Sequence, residues 1–278
     1  MDNNINNDLL TGSIKKNLLR IALPTMLGFF LQAVYDIVDM IWIGRISSQA
    51  VAGVTIFSTV FWLVTILNEI IGTSSVSLIT QSYGMKDERR TQRIVEQTLA
   101  FKAMVAIISA LIMVVFLKPL LSFFTTEEEV LNAALDYGYI RIFFLPIMFS
   151  SYSVNTALRC LGDAKTPMFI MIAASVANII LDPLFMFQTI PGTSIPGLSM
   201  GVFGAGLATV ISTVIAFSLG FFILLRGKAK IKIDLKGLFK LDWSIDKKLL
   251  TIGLPTGIEM LSRNLSAVFT LKFVSIYG

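Results

Sequence analysis

Long apolar segments alternate with short polar stretches along the whole chain. A helix needs about 20 mostly apolar residues to cross the hydrocarbon core of a bilayer. Seven segments reach that length, with turn residues such as Gly44, Gly84 and Gly162 between them. They lie at residues 17–43, 51–83, 94–117, 130–158, 167–187, 201–226 and 247–278. The pattern predicts an all-α polytopic membrane protein.

The basic residues fall mainly on one side of this predicted topology. Seventeen of the 23 Lys and Arg residues lie in four polar stretches, at 15–20, 86–93, 159–165 and 226–248. The loops on the other side contain only Arg45 and Lys118. Loops rich in Lys and Arg stay on the cytoplasmic side of a membrane. The N-terminus is therefore predicted to be cytoplasmic.

Composition narrows the function classes. Of the 278 residues, 55% are hydrophobic and 15% are charged, whereas soluble domains carry about 25% charged residues. The formal charge of +5 is explained by the basic loops, so no nucleic-acid partner is expected. The chain has no His, and its single Cys160 cannot form an internal disulfide. With no His, no nucleophile–base pair and no phosphate-binding glycine loop, we expect neither an enzyme nor ATP-driven transport.

The start of the chain is repeated near its end. KNLLRIALPT at 16–25 recurs as KKLLTIGLPT at 247–256. Six predicted helices separate the two starts, an even number, so the repeat is expected to be parallel. We interpret 16–226 as an N-terminal six-helix lobe and 247–278 as the first helix of a truncated second lobe. Residues 1–15 would be a polar cytoplasmic tail and 227–246 a basic cytoplasmic linker between the lobes.

Six acidic residues lie inside the predicted spans: Asp36, Asp39, Glu69, Asp136, Asp182 and Glu259. A carboxylate within the hydrocarbon is rare and is a functional candidate by default. Depth distinguishes two of them. Asp39 and Asp182 each lie five residues before the outer end of a helix, about 8 Å inside at 1.5 Å per residue. The two carboxylates are therefore expected at one depth.

Neighbouring residues add ligands to this pair. Asn178 precedes Asp182 by one helical turn and shares its face. Pro183 has no backbone N–H, so it leaves a carbonyl one turn earlier without its donor. Tyr139 and Thr209 lie roughly 12–13 Å deep on two further helices and are expected to hydrogen-bond the same cluster. The pattern predicts a site for a proton or a small cation.

The other charged residues have structural explanations. Asp36 and Asp136 lie near the outer interface and are expected to be solvated. Glu69 is expected to pair with Lys102 in the inner half of the membrane. Arg141 is expected to be a structural partner for Asp136.

Five motifs carry a resemblance to a known family. They are LPTMLGFFLQAVYDIVDMIWIGR, GTSSVSLITQSYGMKDERR, LRCLGDAKTPM, NIILDPLF and GVFGAGLATVIS, found in or beside predicted helices one, two, four, five and six. In the third, a glycine ends one helix and a proline starts the next after a tight charged turn. With these motifs the chain resembles the multidrug and toxic compound extrusion (MATE) transporters, specifically their N-terminal lobe plus the first helix of the second lobe.

The resemblance implies a secondary antiporter that expels organic, often cationic, drugs in exchange for inward H+ or Na+. It implies a multi-pass protein of the prokaryotic plasma (inner) membrane, with small-molecule substrates, the lipid bilayer as its environment, no catalytic residues and no cofactor besides the coupling ion. The full-length protein would be monomeric. Two alternatives stay open: a lipid-linked oligosaccharide flippase of the same superfamily, and a truncated lobe that does not transport.

The resemblance also implies which residues bind the coupling ion. In similar prokaryotic members these are an acid in helix one and an Asn/Asp pair in helix five. The matching residues here are Asp39, Asn178 and Asp182, which would also bind Na+. A supporting Tyr and Thr fall on Tyr139 and Thr209, with Tyr137 a close rival.

Overall fold

The computed structural model describes the backbone of residues 13–277 and the side chains of residues 13–263 and 266. Its helices, numbered here in chain order, are α1 Ile14–Gly44, α2 Ser48–Gly84, α3 Glu88–Phe124, α4 Glu128–Phe143, α5 Leu145–Cys160, α6 Lys165–Met186, α7 Gly201–Leu225, α8 Leu235–Leu238 and α9 Trp243–Tyr277.

The prediction of an all-α membrane fold is confirmed. Five helices in the described part of the chain, α1, α2, α3, α6 and α7, are long and apolar enough to cross a membrane. The pair α4 and α5 forms a sixth candidate span. The seventh predicted span, 247–278, begins within α9, and its residues 264, 265 and 267–278 lie outside the described side chains.

The fourth predicted span is not one continuous helix. The chain bends by 59° between α4 and α5, with Phe144 at the break. Pro146 lies in the first turn of α5. Proline has no N–H and its ring clashes with the preceding turn, so it fits the start of a new helix better than the middle of an old one.

The turn between α5 and α6 has the form that its sequence predicts. Gly162 has φ +85°, a left-handed conformation that glycine adopts without steric cost. The Asp163 N–H donates to the Leu158 carbonyl at 3.0 Å, which satisfies a free carbonyl at the helix end. The Asp163 carboxylate then accepts from the Thr166 N–H at 3.0 Å at the start of α6.

The buried side chains form two apolar clusters. One contains Phe57, Leu117 and Leu145 and lies at the end of the helices that holds the α1–α2 turn. The other contains Val95 and Leu158 and lies at the end that holds the α5–α6 turn, which the sequence predicts to be cytoplasmic. Within this arrangement α1 packs mainly on α6, α6 on α7, and α2 on α3, α4 and α9. The polar candidate residues are held by the helices α1, α4, α6 and α7.

The segment that follows α7 alternates buried and exposed residues. Ala229, Ile231 and Ile233 are buried in the inner cluster, and the lysines between them are exposed. The side chains of Glu96 and Gln97 on α3 then accept from the backbone N–H groups of Asp234 at 2.8 Å and of Asp242 at 2.7 Å. The segment is therefore attached to the six-helix unit by apolar packing and by hydrogen bonds.

Candidate ion-binding site

Asp39 lies on the side of α1 that faces the other helices. The residue is buried, with 7% of its surface exposed. The Tyr137 hydroxyl on α4 donates to Asp39 Oδ2 at 3.3 Å. The other oxygen, Oδ1, is buried and has no hydrogen-bond partner among the described residues. Such an unpaired buried acceptor is uncommon and calls for an explanation.

A second carboxylate lies on α6. Asp182 is 0% exposed and Asn178 is 1% exposed. Asn178 Nδ2 donates to Asp182 Oδ1 at 3.3 Å, which is the bond that their one-turn spacing predicts. Asn178 Oδ1 and Asp182 Oδ2 are both buried and find no partner in the part of the chain that is described. Together with Asp39 Oδ1, three buried oxygens are thus left as free acceptors.

The two halves of the site belong together. Asp39 and Asp182 are close enough for their charges to interact, and Thr209 on α7 lies beside Tyr137. The Thr209 hydroxyl also donates to the Ala205 carbonyl at 3.1 Å. The close approach of α7 to α4 depends on Gly206, because a Cβ there would lie 2.7 Å from Ile140 Cγ2. Of the residues predicted from sequence, the structure brings together Asp39, Asn178, Asp182 and Thr209.

Tyr139 is not brought to this cluster. It is 40% exposed, whereas Tyr137 is 3% exposed and bonds Asp39. Side chains two residues apart on an α-helix point in directions about 200° apart, so only one of these tyrosines can face the site. Helix depth is nearly the same for both and does not distinguish them, while helix rotation does.

Arg141 lies beside the site, although the sequence predicted it to pair with Asp136. Its Nη1 donates to the Tyr137 hydroxyl at 3.1 Å, and its guanidinium lies 5.0 Å from the centroid of the Phe61 ring. The expected partner, Asp136, is exposed and is not within salt-bridge distance in the described structure. The reason is helical spacing: residues four apart share a face, and residues five apart do not.

The predicted pairing of Glu69 with Lys102 occurs through a third residue, Asn68. Lys102 is 1% exposed, and its Nζ donates to Asn68 Oδ1 at 2.8 Å. Asn68 Nδ2 in turn donates to Glu69 Oε1 at 3.2 Å. The amide of Asn68 therefore lies between the two charges and bonds both.

The chemistry of the site formed by Asp39, Asn178 and Asp182 suits a proton or a small hard cation. The free acceptors are two carboxylate oxygens and one amide oxygen, with a tyrosine and a threonine hydroxyl beside them. Oxygen ligands of this kind hold hard cations, and a carboxylate also holds a proton. Two buried carboxylates that form no salt bridge with the described residues are costly in a membrane, so neutralising them stabilises the packed helices.

Comparison with known proteins assigns the family. The MatE family model matches residues 24–184, more than half of the chain and including Asp39, Tyr137 and Asp182. The chain belongs to the MatE family. Members of this family are membrane transporters and not enzymes. This MatE chain is accordingly a multi-pass protein of the prokaryotic plasma membrane.

Similar proteins include two named for drug resistance. The "Probable multidrug resistance protein YoeA" of Bacillus subtilis is 32% identical over 269 residues, which is 96% of this chain and 57% of the relative. The "Probable multidrug resistance protein NorM" of Thermotoga maritima is 29% identical over 88% of this chain and 52% of the relative. The MatE chain thus spans little more than half the length of these relatives.

Solved structures agree with the fold. A crystal structure described as MATE in the bent conformation has a TM-score of 0.84 at 26% identity, over 97% of this chain and 58% of that one. An outward-facing multidrug resistance MATE family transporter of the MOP superfamily has a TM-score of 0.84 at 25% identity over 97% of this chain.

Proposed function

We propose that this MatE chain is the ion-binding lobe of a multidrug efflux antiporter, which expels organic drugs in exchange for inward H+ or Na+. The observation that carries the proposal is the set of three buried acceptor oxygens, on Asp39, Asn178 and Asp182, shared between α1 and α6. The drug-resistance names of two similar proteins support the transport direction. In this proposal residues 16–226 are the lobe, 227–246 the linker, and 247–278 the start of a second lobe.

Each residue has a distinct role in ion binding. Asp39 and Asp182 supply the negative charge that the ion neutralises. Tyr137 orients the Asp39 carboxylate, and Asn178 orients that of Asp182, through the bonds described above. Thr209 supplies a further hydroxyl oxygen beside Tyr137 from α7.

The ion acts on the packing of α1 against α6. With both carboxylates charged, like-charge repulsion and desolvation oppose close packing of these helices. A bound proton or Na+ removes that repulsion and favours the packed arrangement. A ligand shifts a conformational equilibrium only by its differential affinity for the two states, and the site provides such a difference. Drug binding that depends on the same equilibrium is then coupled reciprocally to the ion.

The test is ion-driven efflux by the complete coding sequence from which the chain derives. Right-side-out vesicles would be loaded with a fluorescent drug and energised separately by an inward H+ gradient and by an inward Na+ gradient. We expect Asp39→Asn and Asp182→Asn each to abolish gradient-driven efflux, because each removes one charge that the ion must neutralise.

Asp136→Asn is the matched control. This carboxylate also lies in a predicted span, but it is exposed and belongs to no part of the site. Efflux should continue in this variant. Undiminished gradient-driven efflux in both Asp39→Asn and Asp182→Asn would overturn the proposal.

A further inference from the structure

The segment between α7 and α9 is bonded to α3 through its backbone. Arg93 on α3 donates to the carbonyls of Gly237 and Lys240. Gln97 Nε2 donates to the Lys240 carbonyl as well. Glu96 lies so close to Gly237 that a Cβ at this glycine would overlap its carboxylate. The third predicted span begins at residue 94, among these α3 side chains, so the bonded segment is level with the boundary between lipid head groups and acyl chains.

Both ends of the segment also keep it beside the membrane. It begins after Leu225, the last residue of the candidate span α7, and it leads into α9 at Trp243. The Ile233 N–H donates to the Leu224 carbonyl at 3.3 Å, so the chain turns back along the end of the helices after leaving α7. The segment therefore runs along the predicted cytoplasmic surface of the membrane and does not extend away from it.

Large apolar side chains remain exposed on this segment. Four of the nine residues from 235 to 243 are of this kind: Leu235 (51% exposed), Phe239 (89%), Leu241 (56%) and Trp243 (68%). Single exposed apolar residues are normal on protein surfaces, but such a concentration indicates an interaction site. Trp and other amphipathic side chains are typical of the membrane–water interface, where one end is apolar and the other is hydrated.

Basic residues are interleaved with these apolar side chains. Residues 226–248 contain eight Lys and Arg residues and three Asp residues. Lys232, Lys236 and Lys240 are exposed, and none of the three takes part in a salt bridge within the described part of the chain. A lysine at the interface places its alkyl chain along apolar surface and its ammonium among the head groups. The alternation of Lys with large apolar residues thus fits the head-group layer.

The three acids do not offset this charge at the exposed surface. Asp234 accepts from the Lys236 backbone N–H at 3.1 Å, and Asp242 accepts from the Ser244 hydroxyl at 2.6 Å, so both carboxylates bind local donors at the starts of α8 and α9. Asp246 is buried. The exposed side chains are consequently apolar and positive, which is the complement of an anionic lipid surface.

We propose that the exposed side chains of residues 232–243 form a docking surface for anionic phospholipids of the cytoplasmic leaflet. Leu235, Phe239, Leu241 and Trp243 enter the boundary between head groups and acyl chains, and the neighbouring lysines bind lipid phosphates. Every spanning protein touches lipid, but this surface selects lipid by charge. The selection is independent of ion-driven efflux, so either can fail while the other holds.

The experiment measures quenching of Trp243 fluorescence by brominated lipids. The 278-residue chain and the complete coding sequence are each placed in nanodiscs with equal amounts of phosphatidylcholine and phosphatidylglycerol, one of which carries bromine on its acyl chains close to the head group. The Trp243 signal is the difference between each protein and its Trp243→Phe variant. We expect brominated phosphatidylglycerol to quench this signal at least about twofold more strongly than brominated phosphatidylcholine, because lysines concentrate anionic lipid around them. At about 1 M salt, where the Debye length is about 3 Å, most of the difference should disappear.

Substitutions then separate charge from apolar contact. The double variant Lys236→Gln, Lys240→Gln should bring the quenching by the two lipids close to equality, while Trp243 is still quenched by both. Lys236→Arg with Lys240→Arg keeps the charge and should keep the preference. The control is Lys15→Gln with Lys16→Gln, because these lysines are also exposed and predicted to be cytoplasmic but lie at the start of α1. The control should retain the full preference for phosphatidylglycerol.

Three results would overturn the proposal. The first is equal quenching by the two lipids, or quenching by neither, in the unsubstituted chain. The second is an equal loss of preference in the control variant, because the effect would then reflect net charge and not this surface. The third is quenching that occurs in the 278-residue chain and is absent from the complete coding sequence, because the rest of the protein would then cover the surface.

Discussion

At the scale of single residues, the Tyr137 hydroxyl has the central position. It donates to Asp39 Oδ2 and accepts from Arg141 Nη1. Its ring packs edge-on against Phe57, with 5.6 Å between the ring centroids. One buried hydroxyl therefore bonds both a carboxylate of the candidate ion site and the Arg141 guanidinium, and its ring is fixed by packing.

This position gives a prediction for two tyrosines of the same helix. A hydrogen bond to a charged group contributes about 1.5–3 kcal/mol. Tyr137→Phe removes that bond and should shift the ion concentration for half-maximal efflux by about tenfold or more. Tyr139→Phe, the matched change on the exposed face of the helix, should leave the ion concentration for half-maximal efflux unchanged. Equal effects of the two changes in the vesicle assay would contradict the assignment.

Sequence reasoning reaches some of these residues and not others. Asp39 and Asp182 can be chosen by depth, and Asn178 by its one-turn spacing from Asp182. The choice between Tyr137 and Tyr139 depends on helix rotation, which the apolar composition of the span does not determine. Arg141 could have been found from its one-turn spacing to Tyr137, although the nearer acid Asp136 is the more obvious partner.

At the scale of helices, the break between α4 and α5 shows why proline alone does not predict a helix end. Pro24, Pro119 and Pro183 lie inside continuous helices, whereas Pro146 starts a new one after a 59° bend. A helix can continue through a proline or end there, and which of the two occurs depends on the surrounding packing. The apolar length of 130–158 therefore predicts a span but not its shape.

The cytoplasmic start of α9 provides a prediction about pH. Asp246 is buried in the first turn of this helix. Burial, with repulsion from Asp242, raises the pKa of its carboxyl from 3.8 to about 6, and the nearby Arg93 opposes the shift. The protonated form is thus favoured in the folded chain. Its contribution to stability is complete below about pH 4 and is lost as the pH rises through about 6.

Asp246→Asn should remove this dependence. The variant should have a higher Tm than wild type at about pH 7.5, and the difference should vanish near about pH 4. Thermal unfolding in detergent, followed at both pH values for both proteins, measures it. A constant difference in Tm across that range would contradict the assignment.

At the scale of the whole molecule, the proposed ion site lies within a chain that matches little more than half of its longer relatives. The chain spans 57% of one similar protein and 58% of a solved transporter structure. All residues of the proposed ion site lie on α1, α4, α6 and α7. Ion binding is therefore expected of this chain by itself, whereas drug efflux is proposed for the complete coding sequence.

The global topology could be predicted from sequence because it depends on sums over many residues. Apolar length predicts the helices, and the distribution of Lys and Arg predicts their orientation. The small cavity lined by Phe29, Arg141 and Arg159 could not be predicted in this way. These residues are distant in sequence, and only the packing of α1, α4 and α5 places them around one space.

The most direct test of the central claim is a count of ions bound by the purified chain. Wild type and the double variant Asp39→Asn, Asp182→Asn would be titrated with acid across neutral pH and, separately, with Na+, and bound ions would be counted by potentiometry and by calorimetry. We predict that wild type binds at least one proton or Na+ per chain that the double variant does not bind. Identical proton and Na+ titrations of the two proteins would contradict the account.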